Sequence, residues 1–203
     1  MPKVVDPVRR RRELAEAVWR VIRRDGLEEA SVRRVAQEAG LSMGSLRHYF
    51  ASQSELLAFA LRMVIDRIDR RVAALDPSGP PRERAERVLA QLLPMDDERR
   101  AENEVWLAFT ARAMVDPGLR ALRDEGYDAL RAGCRRVVAL LRDADAAADA
   151  DETELAAARL HALVDGLAVH AAMRPGDTTP ERMAAVIARH LDELAAPVSG
   201  RGA

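Results

Sequence analysis

The stretch Ser31–Leu57, SVRRVAQEAGLSMGSLRHYFASQSELL, carries the clearest architectural signal in the chain. Ser31 and Ser42 each stand where a short helix opens, because a side-chain oxygen there can accept an otherwise orphaned first-turn amide. Ser52-x-x-Glu55 is a capping box opening a long helix that runs through Leu75. Between the two short helices, Gly40 occupies a position that favours left-handed backbone and hence a residue without Cβ. Ala36, Leu41 and Leu46 are spaced to form the small core that fixes the crossing angle, while Ala39 and Gly44 let other backbones come close. Ser42, Ser45, Arg47, His48 and Tyr49 then face away from that core. Two short helices joined by a glycine turn form a helix-turn-helix, whose second helix fits the DNA major groove.

On either side of this stretch, helical periodicity dominates and strand signals are absent. A first helix is expected from about Pro7 to Arg24, burying Leu14, Val18 and Ile22 with Trp19 beside them. The break Asp76-Pro77-Ser78-Gly79-Pro80-Pro81 separates the long fourth helix from further helices near 82–93, 98–115, 117–142, 152–174 and 180–195. Asp116-Pro117 and Thr179-Pro180 set an N-cap before a proline at the first helical position. Asp151-x-x-Glu154 reads as a capping box with Asp in place of Ser, and the acidic run 143–151 as a mobile loop or frayed helix end. The expectation is an all-α chain of about nine helices. Residues 1–51 form a three-helix helix-turn-helix domain and residues 52–203 a helical bundle.

Composition narrows the function. Over 203 residues, 32 Lys+Arg stand against 33 Asp+Glu, a formal charge of -1, and 48% of residues are hydrophobic. The basic residues are concentrated in the first 52 positions and the acidic excess lies beyond them, so the head suits a polyanion. The N-terminus carries no secretory signal, no apolar run could span a membrane, and the expected location is cytoplasmic. Cys134 is the lone cysteine; set in an apolar helix, it reads as inert packing rather than a redox sensor. His161 and His170 lack a third ligand at metal spacing, so they read as core or interfacial imidazoles; His190 near a helix end would complement the dipole. Nucleophile motifs, phosphate-binding glycine loops and paired catalytic carboxylates are absent. No metal, cofactor or enzymatic activity is expected.

The residues Ser31, Val35-Ala36, Ala39-Gly40-Leu41-Ser42, Gly44, Leu46, Tyr49-Phe50 and Glu55-Leu56-Leu57 closely resemble the DNA-binding domain of the TetR family of bacterial transcriptional regulators, over residues 9–58. Over 155–195, Asp165-Gly166-Leu167-Ala168-Val169-His170, Arg174-Pro175-Gly176 and Thr179-Pro180-Glu181-Arg182 resemble the BetI-like C-terminal subgroup. The resemblance implies a homodimeric repressor, released from a pseudopalindromic double-stranded operator by a small-molecule effector. It puts Ser31, His48 and Tyr49 on phosphates, and Ser42, Met43, Gly44, Ser45 and Arg47 in the major groove. Arg47 would read guanine, or else make one more phosphate contact. Gln53 stands where the family usually carries lysine and would donate to phosphate without a charge.

By the same resemblance, the last two helices pair across the dimer through Leu160, Leu163, Val164, Leu167, Ala171, Val186, Ile187 and Leu191, a stripe that would serve equally as intrachain core. The effector pocket would draw on Met63, Trp106, Phe109, Met114, Tyr127, Leu130 and Cys134, which would serve equally as core. Glu104 and Asp165 are candidates to receive a cationic group. An effector-independent regulator or activator, with the C-terminal domain as an interaction module, stays open on sequence grounds.

Overall fold

The computed structural model describes residues 7–142 and 150–195. Among them, nine α-helices succeed one another: α1 (Pro7–Asp25), α2 (Val32–Glu38), α3 (Met43–Arg47), α4 (Gln53–Ala73), α5 (Pro81–Leu92), α6 (Asp97–Val115), α7 (Arg120–Leu141), α8 (Ala150–Met173) and α9 (Pro180–Ala195).

The helix starts around the turn are held as the serines predict. Ser31, Ser42 and Ser52 accept from the amides of Arg34, Ser45 and Glu55 at 3.2, 3.1 and 3.1 Å. Glu55 reaches back one residue further than the box requires, to the Ala51 amide at 2.8 Å. Gly40 has φ = +64°. It lets the Leu41 amide reach Ala36 O and its own amide reach Gln37 O, the paired bonds that close a helix end through a left-handed residue. A Cβ at this position would strain the turn that aims α3.

Two local expectations are corrected, and a third falls mostly on residues that are not described. Asp116 does act as a cap, accepting from the Gly118 amide at 3.0 Å, but Pro117–Leu119 is a single 3-10 turn and α7 begins at Arg120. Helix α8 begins at Ala150, so Asp151 sits inside its first turn rather than at the cap position; Glu154 pairs with Arg131 and Arg135 of α7. Of the acidic run 143–151, residues 143–149 lie outside the described residues.

Two apolar cores are stacked end to end. The first joins α1–α4 to α6: Leu14, Val18, Val35, Leu46, Phe50 and Leu61 pack with Val105 and Phe109. The second joins α5, α7, α8 and α9 through Leu89, Cys134, Val138, Leu160, Met183 and Leu191. The boundary between the cores runs between α4/α6 and the other body helices.

This packing also corrects the predicted dimer stripe. Leu160, Val164, Leu167, Ile187 and Leu191 are buried within the chain's own second core; Leu163 and Ala171 pack against it, and only Val186 is exposed. His190 is likewise buried. Burial, and then Arg159, push its pKa below the usual value, so it sits as a neutral imidazole rather than as a cation on the helix dipole.

Candidate nucleic-acid interface and internal cavity

Helix α3 turns one residue inward and the rest outward. Leu46 is fully buried, while Ser42, Met43, Gly44, Ser45, Arg47, His48 and Tyr49 form a continuous exposed face. Ser42 and Ser45 Oγ lie 2.9 Å apart, leaving hydroxyl capacity toward solvent. Neighbouring arginines are occupied: Arg20 and Arg24 donate to Glu38 at 2.7 and 2.9 Å, and Arg24 and Arg34 hold Asp25. The hydrogen bond from Arg24, then that from Arg34, holds the Asp25 carboxyl down at about 2. Arg47 and His48 make no ion pair or side-chain hydrogen bond among the described residues, so their donors are available to an outside acceptor.

Gln53 departs from its predicted role. Its Nε2 donates to Ala30 O at 2.8 Å, tying the start of α4 to the α1–α2 loop. Arg33, exposed on α2 beside Ser31 and likewise without a partner among the described residues, is a cation to which the sequence pattern assigned no role.

Where the two cores meet, α4, α5, α6, α7 and α8 enclose a cavity of about 190 Å³. That exceeds the roughly 150 Å³ that admits a benzene-sized guest. Its wall is apolar along Leu61, Ile65 and Ile68 of α4 and Leu130 and Val137 of α7. The polar side chains on its lining are Asp69 of α4, Gln91 of α5, Arg99, Glu102 and Asn103 of α6, Arg136 of α7 and Asp165 of α8. Asn103 Nδ2 is engaged by Ala168 O at 2.9 Å, and Glu102 by Arg67 and Arg71. Asp165 faces His161 Nε2 at 3.3 Å, and burial raises its carboxyl above the usual range despite the imidazole.

Of the seven predicted pocket residues, Trp106 and Leu130 line the cavity and five do not. Phe109 is locked in the first core and Cys134 in the second, where burial pushes its thiol up to about 11. Met63 lines a separate surface groove between α1 and α4. Met114 is 76% exposed, and Tyr127 points outward against the His161 ring, centroids 4.8 Å apart. The cavity face of α7 instead carries Gly126, Ala129, Leu130 and Gly133. A Cβ on Gly126 would lie 3.3 Å from the Trp106 ring, so this glycine lets the indole rest against the helix backbone. Glu104 is exposed and away from the cavity; Asp165 is on its wall.

A second outward surface lies on α8 and α9. Leu155, Ala162, Val169 and Met173, spaced by steps of seven, seven and four residues, are exposed along α8, with Ala184, Ala185 and Val186 on α9. Met173 is 72% exposed. Among the described residues no group of His, Cys, Asp or Glu is placed to hold a metal ion, and no helix is long and apolar enough to cross a membrane.

Comparison with known proteins joins these features. Residues 14–59 match the family model described as bacterial regulatory proteins, tetR family, and residues 81–196 match the BetI-type transcriptional repressor C-terminal model. The HTH-type transcriptional regulator PksA of Bacillus subtilis is 40% identical over 195 residues, covering 96% of this chain and 94% of the relative. A transcriptional regulator from a Rhodococcus species has a solved structure that superposes with a TM-score of 0.76 at 34% identity, over 91% of this chain and 95% of that one. A transcriptional regulator of Saccharomonospora viridis, solved in complex with choline, superposes with a TM-score of 0.72 at 28% identity, over 92% and 95% of the two chains.

Proposed function

The chain belongs to the TetR family of bacterial DNA-binding transcriptional regulators, not enzymes, and on that footing we propose that it is a homodimeric repressor whose cavity ligand releases it from its operator. The observation that carries this reading is a shared wall. Helix α4, which comes after the recognition helix α3 and a short turn, supplies one side of the cavity. A guest there meets the element that carries the DNA-reading head. Selection from a randomised duplex pool tests the first half of the proposal. Titration of the selected operator complex with candidate effectors tests the second.

In this reading α3 lies in the major groove and Arg47 grips guanine O6 and N7. Arg33 and Ser31 reach phosphate. Arg47→Ala relaxes selection at one base position, weakening the preferred site by about 1–3 kcal/mol. Arg33→Ala weakens all duplexes alike and lowers the salt slope by about one. Selection profiles and salt titrations of the two variants separate these roles, and an unchanged profile for Arg47→Ala refutes base readout.

The dimer forms through the exposed faces of α8 and α9, with Ala162, Val169 and Met173 meeting a second copy of this chain. A twofold axis there sets two recognition helices on half-sites about one or more helical turns apart.

For the effector, the cavity offers the half-buried Asp165 carboxylate, whose own pair is an imidazole, on the same lining as the Trp106 indole. That chemistry suits a small organic cation, in line with the choline bound by the Saccharomonospora viridis regulator. Burial raises the Asp165 pKa above the usual carboxylate value, so a proton competes with a cation for this group on the acid side. Affinity therefore rises with pH as the carboxyl ionises. With choline as probe, Asp165→Asn flattens this pH dependence and weakens binding by about tenfold or more. Calorimetry at several pH values measures both; a variant that binds choline as tightly as the parent removes Asp165 from the site.

A further inference from the structure

Glu102 is the buried carboxylate of the described residues, 4% exposed, and it lies on the cavity wall. Two guanidinium groups one helical turn apart on α4 hold it. Arg71 Nη1 and Nη2 donate at 2.7 and 2.6 Å, and Arg67 Nε donates at 3.1 Å. Arg67 also pairs with Glu98, further out on α6. The same guanidinium lies over the Trp19 ring of α1, 4.4 Å from its centroid. Next to Trp19, Arg20 donates to Glu38 at 2.7 Å. Glu38 is the last residue of α2 and stands two residues before the Gly40 turn that aims α3. Side-chain contacts, joined through the backbone of α1 between Trp19 and Arg20, thus link the cavity wall to the end of α2, two residues before the turn that aims α3.

We infer that Glu102, Arg67, Trp19, Arg20 and Glu38 form a relay that transmits the state of the cavity to the recognition helix. The inference rests on the repressor reading above and adds the residues that carry its coupling. Buried charges favour discrete arrangements, because each must keep a partner. A ligand donor on Glu102 draws the carboxylate from Arg67, which keeps Glu98 as its alternative on the same helix. The guanidinium then moves over Trp19, and α1 shifts the ion pair that fixes the end of α2. A ligand changes the equilibrium only as far as it binds one of these arrangements better than the other. Leu130, an apolar wall residue of α7 packed against the second core, serves as the control.

The test is amide hydrogen exchange on the full-length protein, which needs neither operator nor effector. Arg67→Met removes the cation, keeps an apolar stem against Trp19 and leaves Glu102 paired with Arg71. Exchange of the α2 amides rises about fivefold or more, the lower edge of usual coupling between sites, while α8 amides keep their parental protection. Arg67→Lys, which retains a cation over the ring, restores protection to within about twofold of the parent. Leu130→Ala leaves α2 unchanged.

Parental α2 exchange in a folded Arg67→Met variant overturns the relay, as does an equal rise in Leu130→Ala. Should Arg67→Met fail to fold, Trp19→Leu reads the relay from its other end. Protection of the α6 amides around Glu102 must then fall, and unchanged protection there also overturns it. Operator selection, performed separately on the parent, reports on the repressor reading by itself.

Discussion

Ala162→Glu yields a monomer that binds its operator about 10²–10⁴-fold more weakly than the parent, through loss of the second, tethered head. Ala162 is exposed near the middle of the apolar α8 stripe, between Leu155 and Met173, so a carboxylate there strains nothing within the chain. Across a twofold axis, however, each stripe faces its own copy. Two added charges must then be desolvated together, which costs several kcal/mol when they find no partner. A stable interface of this kind removes about 800 Å² per partner from water. Sedimentation velocity reads the mass and a duplex titration reads the affinity. A variant that stays dimeric moves the interface elsewhere.

Leu46→Ala has a comparably large effect by another route. Leu46 is fully buried and is the α3 side chain that anchors the recognition helix to Val35, Ala36 and Phe50. Truncating a buried leucine costs about 2–5 kcal/mol, through lost transfer energy and the cavity left behind. The second core, built from α5 and α7–α9, contains none of these residues. Expected, therefore, is a protein that still dimerises and keeps most of its helical circular dichroism, loses duplex binding, and melts in two steps with the first markedly lowered. A single transition at the parental temperature contradicts it.

The helix-turn-helix was legible in the sequence because its determinants are local. Ser31, Ser42 and Ser52 act on amides three residues away, and Gly40 acts through its own backbone angle. The phase of the body helices was not legible in the same way. Helix α8 is apolar on two sides: Leu160, Val164 and Leu167 point inward and Leu155, Ala162, Val169 and Met173 outward. Periodicity alone does not say which side faces the chain's own core, so the stripe assigned to the dimer proved to be internal. The cavity escaped for a related reason. Its α7 wall includes Gly126, Ala129 and Gly133, residues that make room by having little or no side chain, whereas Phe109 and Cys134 are packed into the cores. Glu102 and its two arginines carry no local signal, because only the packing of α4 against α6 brings them together.

Because the first core passes without interruption from α1–α3 into α4 and α6, the DNA-reading head is not a detachable cartridge. Grafting residues 1–51 of one relative onto the body of another would set Leu14, Val18 and Phe50 against a foreign counterpart of Leu61, Val105 and Phe109. Changes of operator preference and changes of body sequence are thereby yoked: drift on one side of that seam selects compensating drift on the other, and a new specificity is reached most readily through the outward residues of α3 alone.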